Sequence, residues 1–234
     1  MKIEYIEQII NWTNENSGFL SLILFLATIL YGWLSGLFSS LIKKPKLKVR
    51  FIPKVCFYST YYVDEKYEPK EGEKYDVHKT GFVIYASISN VGNMPTAIDK
   101  IYIGYKKNKE FRLFERNRFI WLAQWHSFTP FKTKMKNDSD LIYPTLRIKN
   151  FFTDNTNDYL RTGESITGTA YFEQFKAWGN FNPLQNDDKS TDIKFKIVDV
   201  YGRKFIFNHE LRYVELDEAR ELNEHFGNIE YLST

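Results

Sequence analysis

Apolar positions change their spacing twice along this 234-residue chain. At the start, Ile3, Ile6, Ile9 and Ile10 recur at helical spacing with Glu4, Glu7 and Gln8 between them. That predicts a short amphipathic helix, ended by the polar run TNENSG. From Gly18 to Ile42 the chain carries no charge for about 25 residues, enough for a helix to cross a hydrocarbon core of roughly 30 Å. From Lys46 onward the period falls to two. LKVRFIPKVCFY, GFVIYASISN, TAIDKIYIGY, ESITGTAYFEQF, TDIKFKIVDV and RKFIFNHELRY alternate, or run apolar between turn residues, as strands do. NVGNMP separates two of these strands, and Tyr201 with Gly202 marks a tight hairpin. DEARELNEHF, stopped by Gly227, predicts a short helix with Leu222 and Phe226 on one face. The expected fold class is an N-terminal transmembrane α-helix plus a mainly-β cytoplasmic domain, a β-sandwich of six or seven strands with a short C-terminal helix. The expected segments are an amphipathic helix and loop at 1–17, a transmembrane helix at 18–43, the β-sandwich at 44–214, and a helix and tail at 215–234.

Charge gives the apolar run a direction. Lys43, Lys44, Lys46, Lys48 and Arg50 follow it, while only Lys2 precedes it. The positive-inside rule then predicts a single-pass membrane protein, its N-terminus outside and its C-terminal domain cytoplasmic. The residues before the run are net acidic and the run is long, which argues against a cleaved signal peptide. Pro45 ends the helix and starts an extended segment. The single cysteine, Cys56, cannot close an intrachain disulfide and fits a reducing compartment.

Small residues subdivide the span. At 100° per residue Ser21, Thr28, Gly32, Ser35 and Ser39 fall in a stripe about 60° wide, with Gly36 at its edge and large apolar residues elsewhere. Gly32 and Gly36 form a GxxxG pair, and small faces let helix backbones approach closely. A homo-oligomer assembled through this face is expected, with hydroxyls lining a pore as the further case.

Candidate chemistry is sparse. His78, His126, His209 and His225 lack metal-ligand spacing, and no HExxH, cysteine pair, phosphate-binding glycine loop or nucleophile elbow occurs. No enzyme, cofactor or metal is expected, and Cys56, in an apolar run, reads as packing. A net charge of +3 is too small to mark a nucleic-acid binder, so clustering decides. One segment, EFRLFERNRFIWLAQWHSFTPFKTKMK, interleaves cations with aromatics. Arg112, Arg116, Arg118, Trp121, Trp125, His126, Lys132 and Lys134 form the candidate ligand-binding set. Cations neutralise phosphates and flat rings stack on bases, a composition suited to a nucleotide or a single-stranded oligonucleotide. The same composition also suits a domain's own core and rim, or docking on the inner membrane surface.

The strands around NVGNMPTAI, the RTGES lead-in and the VDVYGRKF hairpin resemble bacterial immunoglobulin-like sandwich domains, in which an Asn-x-Gly turn and a final Asp-containing hairpin recur. The likeness covers residues 46–213 and implies a fold more than a function. The layout of a membrane helix followed by a cytoplasmic β domain also resembles membrane effectors of bacterial antiphage signalling systems, some of which are opened by nucleotide or oligonucleotide signals. That resemblance implies an oligomeric effector, a pore or ion channel, controlled through its β-sandwich by a nucleotide, an oligonucleotide or a protein partner. The alternative is a non-catalytic membrane anchor or scaffold that recruits a cytoplasmic partner through a strand edge or the aromatic segment.

Overall fold

A computed structural model of the chain describes residues 2–37, 43–107, 119–125, 130–136, 139–146 and 158–227. It divides into two compact units, Met1–Lys44 and Pro45–Thr234.

The first unit holds helices α1 (Lys2–Glu15) and α2 (Ser17–Leu34). Helix α1 runs through Thr13 and Asn14, further than the polar run predicts. It closes where the Asn16 side-chain amide donates to the Trp12 carbonyl at 2.9 Å. Helix α2 has 18 residues, a mean hydropathy of 1.9 and exposed Leu22, Phe25, Leu30 and Trp33. At 1.5 Å per residue it is roughly 27 Å long, long and apolar enough to span a membrane. Its last residue is Leu34, and the apolar run continues in sequence to Ile42. Gly36 adopts φ +75°, a left-handed conformation that costs glycine little, while the Ser35 and Gly36 amides bond back to Tyr31 and Trp33. The GxxxG partner of Gly32 therefore lies just past the last residue of α2. Ser39 and the rest of 38–42 lie outside the described residues.

The second unit is mainly β. Its strands are β1 (Leu47–Phe51), β2 (Phe57–Lys70), β3 (Glu73–Asn90), β4 (Thr96–Lys106), β5 (Phe119–Ala123), β6 (Phe131–Lys134), β7 (Asp140–Tyr143), β8 (Tyr159–Leu160), β9 (Ser165–Trp178), β10 (Thr191–Asp199) and β11 (Lys204–Tyr213), followed by helix α3 (Leu216–Leu222). The main path runs β1-β3-β2-β11-β10-β4-β5, with β9 beside β3 and β8 beside β4, and β6 and β7 form a separate hairpin. Strand β3 pairs with β9 along one edge and with β2 and then β1 along the other. A short parallel contact, Arg212 and Tyr213 against Phe57 and Tyr58, links this ladder to β11-β10-β4-β5.

Alternation decides what each ladder buries. Phe82, Ile84, Ala86 and Ile88 of β3 and Ala170 and Phe172 of β9 share one core with Ile101, Ile103 and Tyr105 of β4 and Ile193, Phe195 and Ile197 of β10. Phe172 meets Phe195 edge-on at 6.4 Å between ring centres. A second core lies on the opposite face of β2, β3 and β9, where Phe57, Val83 and Tyr171 pack with Phe131, Tyr143, Ala219 and Phe226. Helix α3 ends at Leu222, sooner than the sequence predicts. Phe226 still reaches full burial from the turn that follows, which the Asn223 carboxamide pins by accepting from the His225 amide.

Both residues that carry the sequence resemblance act as polar pins. Asn90 is fully buried; its Oδ1 accepts from the Lys46 and Gly92 amides, and its Nδ2 donates to the Met94 and Leu160 carbonyls. Asp199 accepts from the amides of Tyr201 and Arg203 across the β10–β11 hairpin and from the Thr96 hydroxyl. They hold loops whose backbone groups would otherwise lack partners.

Candidate anion-binding face

Strands β11, β10, β4 and β5 turn every second residue onto the first core, fully buried in β10 and β4 and partly buried in β5 and most of β11, so the other half of each alternation faces outward together. Paired residues share a side, which places Lys204 and Ile206 of β11, Lys194 and Lys196 of β10, Lys100, Tyr102, Gly104 and Lys106 of β4, and Phe119 and Trp121 of β5 on one face. Lys194 stands opposite Gly104, and Gly104 opposite Trp121; Lys196 stands opposite Tyr102.

Ring and cation geometry gives this face its character. The Lys196 ammonium sits 3.9 Å from the Trp121 ring centre and 4.3 Å from that of Tyr102, and the Lys194 ammonium sits 4.3 Å from that of Phe119. The indole lies flat on the sheet: a Cβ built on Gly104 would come within 2.8–3.0 Å of three of its carbons at once. Only a glycine leaves room for it. Burial and the neighbouring charge of Lys204 hold the Lys196 ammonium below the ordinary lysine pKa. No ion pair to Lys100, Lys106, Lys194, Lys196 or Lys204 is formed among the described residues. The acids on the same face, Asp192 and Glu210, stand at one end of the rows, and Glu210 accepts from Ser190 and Asn186.

The sequence-derived set is divided by this arrangement. Trp121 belongs to the face. Trp125 does not: its amide donates to the Tyr171 carbonyl at 2.8 Å, and its ring packs beside Phe175 and the second core. Lys132 and Lys134 stand on the β6–β7 hairpin, Lys132 at 3.4 Å from Asp140. Arg112, Arg116, Arg118 and His126 lie outside the described residues. Lys43, Lys44 and Lys46 are exposed, as are Lys48 and Arg50 at the outward positions of β1. In α2, Thr28 donates its hydroxyl to the Leu24 carbonyl at 2.7 Å and Ser35 to that of Gly32 at 3.2 Å. These hydroxyls are satisfied within their own helix and require no polar partner beside it.

Other ionisable groups are enclosed. Cys56 is buried; burial pushes its thiol up to about 11, and it donates to the Ile52 and Tyr85 carbonyls. Glu173 is buried with Tyr171, whose hydroxyl donates to it at 2.6 Å, and with Lys79 at 3.9 Å. Burial raises the Glu173 pKa against the opposing pull of those two partners. His209 stacks on Phe51 at 4.1 Å. Among the described residues no three metal-ligating side chains converge.

No protein-family model matches the chain, and no curated protein matches it in sequence. Among solved structures it is similar to a Bordetella pertussis protein designated ApaA, a structural-genomics target, at 12% identity over 73% of this chain and 96% of that one, with a TM-score of 0.27. It is also similar to Northeast Structural Genomics Consortium target SoR45, at 7% identity over 72% of this chain and 86% of that one, with a TM-score of 0.22. At such scores, fold and function rest on the chain's own residues.

Proposed function

We propose that this protein is a membrane-anchored, non-catalytic binding module that displays a lysine-rich sheet face to a polyanionic ligand. The carrying observation is that face: five outward lysines on three adjacent strands, with no ion pair among the described residues. Helix α2 is the anchor. The basic residues that follow it support a single-pass arrangement in a bacterial inner membrane with the β unit in the cytoplasm. The strand order, with an antiparallel β10–β11 hairpin beside β4 and a parallel β2–β11 contact, supports an immunoglobulin-like sandwich for that unit. Nucleotide-type signals, which open some of the antiphage effectors that share this layout, fall within the anion class such a face accepts. The internally satisfied hydroxyls of Thr28 and Ser35 favour an anchor over a pore-lining helix. Self-association through the Ser21, Thr28 and Gly32 side of α2 would multiply weak ligand contacts.

Two assays on the full chain test this. In cells, the protein remains in the membrane pellet after carbonate extraction, and its β unit resists protease in intact spheroplasts but not in lysed ones. In detergent, it binds inorganic polyphosphate, and Lys194→Glu/Lys196→Glu abolishes that binding. A soluble protein, or polyphosphate binding unchanged in the double variant, refutes the proposal.

A further inference from the structure

We infer that the ligand of this face is a single-stranded nucleic acid, with one base stacked on the Trp121 indole and the flanking phosphates held by Lys194 and Lys196. The inference rests on the polyanion reading above and adds the role of the ring.

Orientation of the indole carries it. A tryptophan that docks a protein on a bilayer projects its ring into the interfacial layer. Trp121 instead lies flat across β4, held close by the missing side chain at Gly104, and so turns a ring face outward. A flat aromatic face on an open sheet, flanked by cations, is how sequence-tolerant single-strand binders take bases: every base has a π-face, and an unpaired strand can splay its bases onto a platform. In a duplex the bases are stacked on one another and unavailable. The lysines have matching reach. Lys194 and Lys196 are two residues apart on one strand, about 6.6–6.8 Å, which is of the order of the spacing between successive phosphates of an extended strand. The Lys196 ammonium, now 3.9 Å from the ring centre, swings on its four-carbon stem from ring to phosphate when a base settles there. It exchanges a cation–π contact for an ion pair. Its lowered pKa, caused by burial and by Lys204, fits a cation short of counter-charge.

The test uses the full-length protein in zwitterionic lipid nanodiscs and fluorescence anisotropy with three labelled probes. These are a 12-nucleotide oligothymidylate, an abasic strand of the same length, and a duplex. Wild type binds the oligothymidylate tightest. Trp121→Ala weakens it by about 5- to 150-fold, the equivalent of stacking one base on an aromatic ring. Gly104→Ala, which keeps every charge and the tryptophan itself but lifts the ring, weakens it in the same direction. Neither substitution changes binding of the abasic strand, and a melting curve for each variant shows that the fold is retained. Equal affinity for the abasic strand and the oligothymidylate, or no effect of both ring variants, overturns the stacking inference and leaves the polyanion reading standing. No binding of any probe or of polyphosphate overturns both. Binding only to vesicles containing phosphatidylserine, with no strand bound, overturns the inference in favour of an anionic lipid surface.

Discussion

Replacing Asn90 by alanine removes four hydrogen bonds at one point of the β unit. The Lys46 and Gly92 amides lose their acceptor, and the Met94 and Leu160 carbonyls lose their donor. Asn90 is fully buried, so water replaces these bonds poorly. A net bond is worth about 1 kcal/mol, and each buried group left unpaired costs about 1–3 kcal/mol. Three of the four contacts, at 3.1, 3.2 and 3.3 Å, lie at the long and weaker end of the usual range. The expected loss is therefore about 3–5 kcal/mol rather than the sum of four full penalties. Asn90→Asp is a sharper variant, because it keeps the acceptor and sets a carboxylate against the Met94 and Leu160 carbonyls, so it should destabilise at least as much. Equilibrium unfolding in urea, followed by near-ultraviolet circular dichroism on the detergent-solubilised protein, reads the shift in midpoint at unchanged slope. A midpoint within about 0.5 kcal/mol of wild type for the alanine variant, the range of ordinary surface substitutions, would refute the view that this motif residue is a structural pin.

Three further outcomes follow from the packing. Gly81→Ala places a Cβ about 2.5 Å from the Phe226 ring and should cost about 1–3 kcal/mol in thermal unfolding, largely restored by Phe226→Leu in the double variant. Cys56, buried with a thiol near 11, should not react with Ellman's reagent in the native protein at pH 8 and should react fully in guanidinium. Glu173 has a folded-state pKa above its unfolded value, so its protonated form contributes stability that is present at acid pH and lost as pH rises through the elevated pKa. Glu173→Gln should remove that part of the pH dependence in melting curves across pH 4 to 8, with Lys79 and Tyr171 the neighbours that modulate it.

Alternation was legible in the longer strands that bury one face, whereas β5, β6 and β7, also set against a core, are too short to show a period and were not read as strands. TDIKFKIVDV gives β10 with Ile193, Phe195 and Ile197 inward, and the hairpin at Tyr201 and Gly202 is in place. The outer part of the β2–β3 ribbon was not legible. Both of its faces meet solvent, so Asp64 to Asp76 show no apolar period; ion pairs such as Lys74 with Glu68, and Tyr67 stacked at 3.9 Å on Trp178, accompany its pairing instead. Helix ends misled for a related reason. Gly32 and Gly36 have one spacing in the sequence, and only the backbone, with Gly36 at φ +75°, sets the second glycine past the last residue of α2. The candidate face was half visible. Trp121 stood out within an aromatic and basic run, whereas Lys194 and Lys196 were merely the polar half of a strand pattern. Tyr102 and Gly104 gained meaning only when register set them beside Trp121. Such a face is assembled across strands distant in sequence, and no local window contains it.

The most direct test of the central claim is the salt dependence of oligonucleotide affinity. A single strand held by three to five of the face lysines should give a slope of log affinity against log salt of roughly −2 to −3.5, at about −0.7 per neutralised phosphate. In Lys194→Glu/Lys196→Glu that slope should flatten as affinity falls. Strong binding whose salt slope is the same in wild type and the double variant would place the ligand elsewhere and contradict the account.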